Sequence, residues 1–124
     1  MKKIDINNGE YPEILKEIAN PPKILHIIGN VENLKLKSIA IIGSRVCSEK
    51  GIKIAKDFSY NLSKLGFCIV SGMAKGIDTA AHIGALDARG KTVAVLGCGF
   101  NYIFPKENKK LFEKIIENDR HNNK

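Results

Sequence analysis

The chain has 124 residues, 44% of them hydrophobic, and 20 Lys and Arg stand against 13 Asp and Glu for a formal charge of +7. That length accommodates one domain, the apolar fraction argues against wholesale disorder, and no apolar run nears the ~18 residues that span a bilayer. Met1 to Asn8 holds basic residues with no apolar block after them, so no signal peptide is expected. Cys47, Cys68 and Cys98 are odd in number and far apart, with no C-x-x-C pair. This argues against a disulfide scaffold or a zinc knuckle and makes the cytoplasm the expected location.

The charge is uneven along the chain. Residues 1–38 carry a net +1, residues 39–105 a net +4 and residues 106–124 a net +2. The surplus is largest where the glycine motifs are. Such a balance suits a polyanionic ligand without specifying one.

In chain order, Tyr11-Pro12 followed by Glu13 to Ile18 predicts a short helix with Pro12 in its first turn, stopped by Pro21-Pro22. Lys23 to Ile28 is a short apolar run ended by Gly29, read as extended, and Asn30 to Lys37 reads as a polar connector. Residues 1–37 are therefore a helical and extended lead-in. Ser38 to Ile42 is a continuous apolar run, the pattern of a strand buried on both faces. Ser48 to Leu65 predicts a helix, with Ile52, Ala55, Phe58/Ser59, Leu62 and Leu65 at helical spacing and Gly66 as its stop. Phe67 to Ser71 is a second buried strand, Ile77 to Arg89 an Ala-rich helix and Lys91 to Leu96 a third strand. Pro105 opens a last helix with Leu111, Phe112, Ile115 and Ile116 on its apolar side, and residues 118–124 read as a polar tail.

Strand and helix alternating three times over residues 38–117 predicts an α/β fold, a three-layer Rossmann-like parallel sheet that is only partial. A first strand with apolar character on both faces would ordinarily have neighbours on both sides. Only three strands are available here.

Open α/β sheets bind ligands outside the carboxyl ends of their strands. All three such ends carry glycine: Gly43-Ser44-Arg45, then Ser71-Gly72-Met73-Ala74-Lys75-Gly76, then Gly97-Cys98-Gly99. Glycine permits a tight turn and brings backbone N–H groups close to an anion, aided by the start of the next helix. Arg45 could pair bidentately with a phosphate or form a surface ion pair, and Lys75 presents the same choice. Ser44, Ser48 and Ser71 could donate to phosphate or cap turns. Asp78 is expected to cap the helix it opens, with a ligand hydroxyl as the alternative. His82 has no carboxylate or cysteine at ligand spacing and reads as a packing residue. Cys98 has no matched base and reads as a small turn residue. Lys109, Lys110 and Lys114 alternate with Glu107, Glu113 and Glu117, as on a solvated helix face.

Spacing excludes several chemistries. Gly43-Ser44-Arg45 lacks the G-x-G-x-x-G of a dinucleotide fold, and Gly97-Cys98-Gly99 runs on into Phe100-Asn101-Tyr102 rather than a helix. There is no G-x-x-x-x-G-K-[ST], H-E-x-x-H or G-x-S-x-G. No cofactor is expected.

Tyr11-Pro12-x-x-Leu15, Pro21-Pro22-x-x-Leu25, Ala40-Ile41-Ile42-Gly43-Ser44-Arg45, Ser48-x-x-Gly51, Val70 to Asp78, Ala81-His82-x-Gly84-Ala85-Leu86, Val93 to Gly99 and Phe104-Pro105-x-x-Asn108 together resemble the DNA-processing protein A (DprA, or Smf) family. The resemblance covers about residues 11–117. It implies an extended Rossmann-type domain that binds single-stranded DNA and helps load a RecA-type recombinase in natural transformation and recombination, without catalysis. Carried over by motif, Gly43, Ser44, Arg45, Ser71, Gly72, Lys75, Gly76, Gly97 and Gly99 would line a basic pocket for the DNA backbone. Phe100, Tyr102 and Phe104 are the aromatic cluster near a strand end that could stack bases, or pack in the core.

The family continues past the last helix into further strands, which generally carry the dimer and recombinase surfaces. The sequence accordingly reads as truncated after the first half of the domain. Two other expectations stay open. One is a nucleotide-binding or nucleoside monophosphate-hydrolysing Rossmann-like enzyme, against which stands the absence of a P-G-G-x-G-T loop. The other is a truncated remnant without function.

Overall fold

The computed structural model describes residues 2–97 and 106–121. Cys98, Gly99, Phe100, Tyr102, Phe104 and Pro105, which the sequence reading names, lie outside the described residues.

The lead-in is more ordered than its sequence suggests. Strand β1 (Lys2–Asp5) pairs antiparallel with β2 (Ile24–Ile27), with Ile4 opposite Leu25. Between them a 3₁₀ turn covers Glu13–Glu17, so the expected short helix is a tighter and briefer one. The expected connector after β2 also contains a 3₁₀ turn, Val31–Lys35, entered through Asn30, whose side chain accepts the Glu32 amide at 3.0 Å. Ile4, Tyr11 and Val31 are buried together under Leu15, Leu25 and Leu34. The Tyr11 hydroxyl donates to the Pro22 carbonyl at 2.7 Å, satisfying the one polar atom of that buried ring. The lead-in thus has a small core of its own.

The second sheet holds β3 (Ser38–Ala40), β4 (Cys68–Ser71) and β5 (Thr92–Ala94), all parallel, in the order β3-β4-β5. Helix α1 (Glu49–Lys64) connects the first pair and α2 (Ile77–Asp87) the second, and α3 (Lys109–His121) follows β5. This alternation is Rossmann-like. Cys68 and Ile69 of the central strand are fully buried, as its apolar run predicts.

The edge strands depart from expectation. Ser38 and Ala40 are exposed, Ile39 is half-buried and Ile42 just beyond is 74% exposed. The apolar run Ile39 to Ile42 is therefore not buried on both faces, because among the described residues β3 has a strand on one side only. Val95, after the other edge strand, is likewise exposed.

Helix α1 begins as its sequence directs. The Ser48 hydroxyl accepts the Gly51 amide at 3.0 Å, and Gly66 follows the helix with φ 98°, a conformation that costs glycine little. Its buried stripe is Ala55, Ser59 and Ser63 rather than the larger apolar residues. Phe58 is 62% and Leu65 75% exposed, a correction to the predicted apolar face. The reason is the closeness of α2. A Cβ on Gly84 would lie 2.4 Å from the Lys56 carbonyl oxygen, and the Ser59 hydroxyl donates to the Ala81 carbonyl. Only small residues fit between axes this near. Helix α3 packs Leu111 and Ile115 with Met73, Ile83 and Leu86, and continues past residue 117 to His121. Among the described residues no helix is long and apolar enough to cross a membrane.

Candidate functional site

The carboxyl ends of β3 and β4 run into two loops that the fold ties together. The first is Gly43-Ser44-Arg45 and the second Gly72 to Gly76. Asp78, in the first turn of α2, is the main tie. Its Oδ2 accepts the Gly72 amide at 3.1 Å and its Oδ1 the Gly43 amide at 3.3 Å. The carboxylate is 93% shielded from solvent when judged by the 7% exposure of its residue. It does not cap its own helix: Gly76 stands at that position, with no side-chain cap. The expected capping role is thus replaced by a bridge between two loops. These two amides are donated inside the protein, and so are not the free anion-binding groups that glycine at a strand end suggests.

Gly76 makes the second tie. It has φ 81°, and a Cβ there would lie 2.5 Å from the Ser44 carbonyl oxygen and 2.9 Å from that of Arg45. Both the turn and the close approach require glycine. Ser71 is 3% exposed and its hydroxyl donates to the Ile41 carbonyl at 2.6 Å, closing the top of the β3–β4 pair. Of the predicted residues, Gly43, Ser71, Gly72 and Gly76 build the edge.

Ser44, Arg45 and Lys75 are exposed on it. The Ser44 hydroxyl accepts the Val46 amide at 3.1 Å and fixes the turn in which Arg45 sits. Lys75 lies 3.8 Å from Glu107, an exposed pair of the kind worth at most about 1 kcal/mol. A phosphate can therefore compete for this ammonium. Gly97 follows β5, and among the described residues a Cβ there would meet nothing within 4 Å.

A cavity of about 600 Å³ lies among Leu25, Ile27, Val93, Val95 and Phe112, and another of about 590 Å³ among Ile39, Ile42, Ile54 and Phe58. Both are apolar, and neither is lined by Ser44, Arg45 or Lys75. Among the described residues, no cluster of His, Cys, Asp and Glu could hold a metal ion.

His82 is a packing residue, as expected, with a defined tautomer. It is fully buried, its Nδ1 is 2.8 Å from the Thr92 hydroxyl, and that hydroxyl donates to the Ile69 carbonyl at 2.8 Å. The Thr92 oxygen must then accept, so the ring proton is on Nδ1. Nε2 has no partner. Burial pushes the imidazole pKa down from 6.5 to about 4, outweighing the opposite pull of the Asp78 charge.

Asn108, Thr79 and Met73 carry no role legible in the sequence. Asn108 is buried, and its Nδ2 donates to the Met73 carbonyl at 2.6 Å and the Thr79 hydroxyl at 2.8 Å. The Phe104-Pro105-x-x-Asn108 spacing was the available signal, but it names a position and not a partner.

Comparison with known proteins places this arrangement. The DNA processing protein DprA of Streptococcus pneumoniae is 46% identical over 109 residues, covering 88% of this chain and 38% of that protein. Protein Smf of Escherichia coli is 36% identical over 107 residues, covering 86% of this chain and 29% of its own length. The X-ray structure of the pneumococcal DprA superposes with a TM-score of 0.87 at 43% identity, over 92% of this chain and 40% of that one. DNA processing protein A of Helicobacter pylori, whose structure addresses its single-stranded DNA binding mode, superposes with a TM-score of 0.82 at 29% identity, over 95% of this chain and 53% of that one. The chain thus spans well under half the length of the curated relatives it matches. The sequence profile of one family runs across both the lead-in and the three-stranded sheet, matching residues 2–121, and the chain belongs to that family, DNA recombination-mediator protein A.

Proposed function

We propose that this chain binds single-stranded DNA, without sequence preference, along the edge formed by the two tied loops. Arg45 and Lys75 supply the phosphate contacts and the Ser44 hydroxyl is a further donor. Gly43, Ser71, Gly72 and Gly76 hold the loops in place. Gly97, and with it Gly99, would extend the edge past β5, and Phe100, Tyr102 and Phe104 would supply stacking. The observation that carries the reading is that two exposed cations stand on two loops sharing a single buried carboxylate, at the sheet end where ligands of open α/β folds bind. The Helicobacter relative's single-stranded DNA binding supports the ligand class.

The proposal stops at DNA binding. This chain spans 38% of the pneumococcal protein, and recombinase loading and dimerisation lie outside the proposal. A nucleoside monophosphate hydrolase is the less favoured reading, because the sequence lacks the P-G-G-x-G-T loop of such enzymes. Anisotropy titration of a labelled oligonucleotide tests the proposal. Arg45→Ala and Lys75→Ala are each expected to weaken binding about fivefold, the upper end of an exposed ion pair, for all sequences alike. Unchanged binding in both variants would refute the assignment.

A further inference from the structure

The second loop contains an unusual residue. Met73 has φ 64° although it is not glycine, and it is fully buried. The left-handed conformation is unfavourable for a long side chain and persists only where the surroundings impose it. Two things impose it here. The side chain packs against Leu111 and Ile115 of α3, which glycine could not do. The carbonyl is taken by Asn108.

Asn108 does more than meet one carbonyl. Its other amide proton goes to the Thr79 hydroxyl, which donates in turn to the Ala74 carbonyl at 2.7 Å. The Thr79 amide also reaches that carbonyl, at 3.1 Å. Three consecutive loop residues are thereby held: Gly72 by Asp78, Met73 by Asn108, and Ala74 by Thr79. Lys75 comes next, and its exposed backbone turn follows from the three before it. The neighbouring Lys75–Glu107 pair is exposed on both sides and cannot hold the loop. The buried amide can.

We propose that Asn108 is a positioning residue that sets the second loop, and through it Lys75, for anion binding. Both donors of its side-chain amide are used, so no other residue type of that size replaces it. Asn108 touches no phosphate itself. It acts through Met73 and Thr79, at the point where the 3₁₀ turn Lys106–Asn108 leads into α3. The affinity consequence rests on the DNA-binding reading above, while the loop consequence does not.

A double-variant comparison with Arg45 as internal reference tests it. In the native chain Lys75→Ala is expected to cost about fivefold in oligonucleotide affinity. In Asn108→Ala that cost is expected to vanish, with Arg45→Ala still costing its native factor. A general folding defect would move both. Hydrogen exchange without DNA gives the second arm. The Gly72 and Thr79 amides are expected to exchange faster in Asn108→Ala, with the Val95 amide, bonded to the Ser71 carbonyl in the sheet, unchanged. If Asn108→Ala fails to fold, Asn108→Leu, close to the same size and without either donor, is the second variant and should give the same pattern. The inference is overturned if Lys75→Ala costs the same factor with and without Asn108, if both cations lose their contributions together, or if the exchange of Gly72 and Thr79 is unaltered. If Lys75→Ala costs nothing in the native chain, the DNA reading of Lys75 falls, and exchange alone decides the role of Asn108.

Discussion

The carboxylate of Asp78 accepts the backbone amide of Gly43, thirty-five residues earlier in the chain, at 3.3 Å, and holds the Gly72 amide on its other oxygen at 3.1 Å. One buried side chain thus joins the carboxyl ends of two parallel strands. Asp78→Asn keeps one acceptor and turns the other into a donor facing an amide. Leaving one buried N–H unmatched costs about 1–3 kcal/mol. Urea unfolding should show that loss, and Asp78→Ala, which frees both amides, a larger one. A change under 0.5 kcal/mol, roughly the scatter of ordinary surface substitutions, would contradict the bridge.

Gly76 is held at φ 81° against the carbonyl oxygens of Ser44 and Arg45. Gly76→Ala places a Cβ where no side-chain rearrangement can relieve it, because the obstacles are backbone atoms. With φ 81° and ψ −122° the backbone is in a region that side chains rarely enter, at a cost of about 1–3 kcal/mol before any clash. The expected result is a lower Tm together with weaker oligonucleotide binding, since the turn carrying Arg45 must move. Gly9, where a Cβ would meet nothing within 4 Å, is the control, and Gly9→Ala should change neither.

His82 makes stability depend on pH. Its pKa is 6.5 when unfolded and about 4 when folded, chiefly because burial disfavours the imidazolium. Between those values the unfolded chain binds more protons than the folded one. Its contribution is therefore complete above about pH 6.5 and is lost as pH falls toward 4, by up to about 3 kcal/mol. Denaturant unfolding at pH 7 and pH 4.5 measures it. His82→Gln, which does not titrate, should flatten the dependence in that window, and an equally steep fall in the variant would assign the acid sensitivity elsewhere.

Much of this fold is legible locally. Ser48 and Gly66 bound α1 in the sequence as in the structure, and the run Phe67 to Ser71 marks the central strand, because caps and continuous apolar segments depend on neighbouring residues alone. Strand β1 is not legible: Lys2, Lys3 and Asp5 surround a single buried residue, Ile4, so no alternation shows. The run at Ile39 to Ile42 announces burial on two sides, but an apolar run cannot say which neighbours are present, and β3 lies at an edge. The glycine loops were found as loops, with Arg45 and Lys75 exposed on them. What the amides of Gly43 and Gly72 do was not legible, since a carboxylate in the first turn of a helix points by local rules to its own helix. The contacts of Asp78 with Gly43 and of Asn108 with Met73 span thirty-five residues each, beyond the reach of any spacing rule.

The salt dependence of oligonucleotide binding tests the central claim most directly. Each phosphate neutralised on a single strand contributes roughly −0.7 to the slope of log K against log salt. The slope of the native chain is expected to exceed in steepness that of the Arg45→Ala, Lys75→Ala double variant by about 1.4, two contacts' worth. Equal slopes would mean that neither cation meets a phosphate, and the edge formed by the two loops would not be where this chain holds DNA.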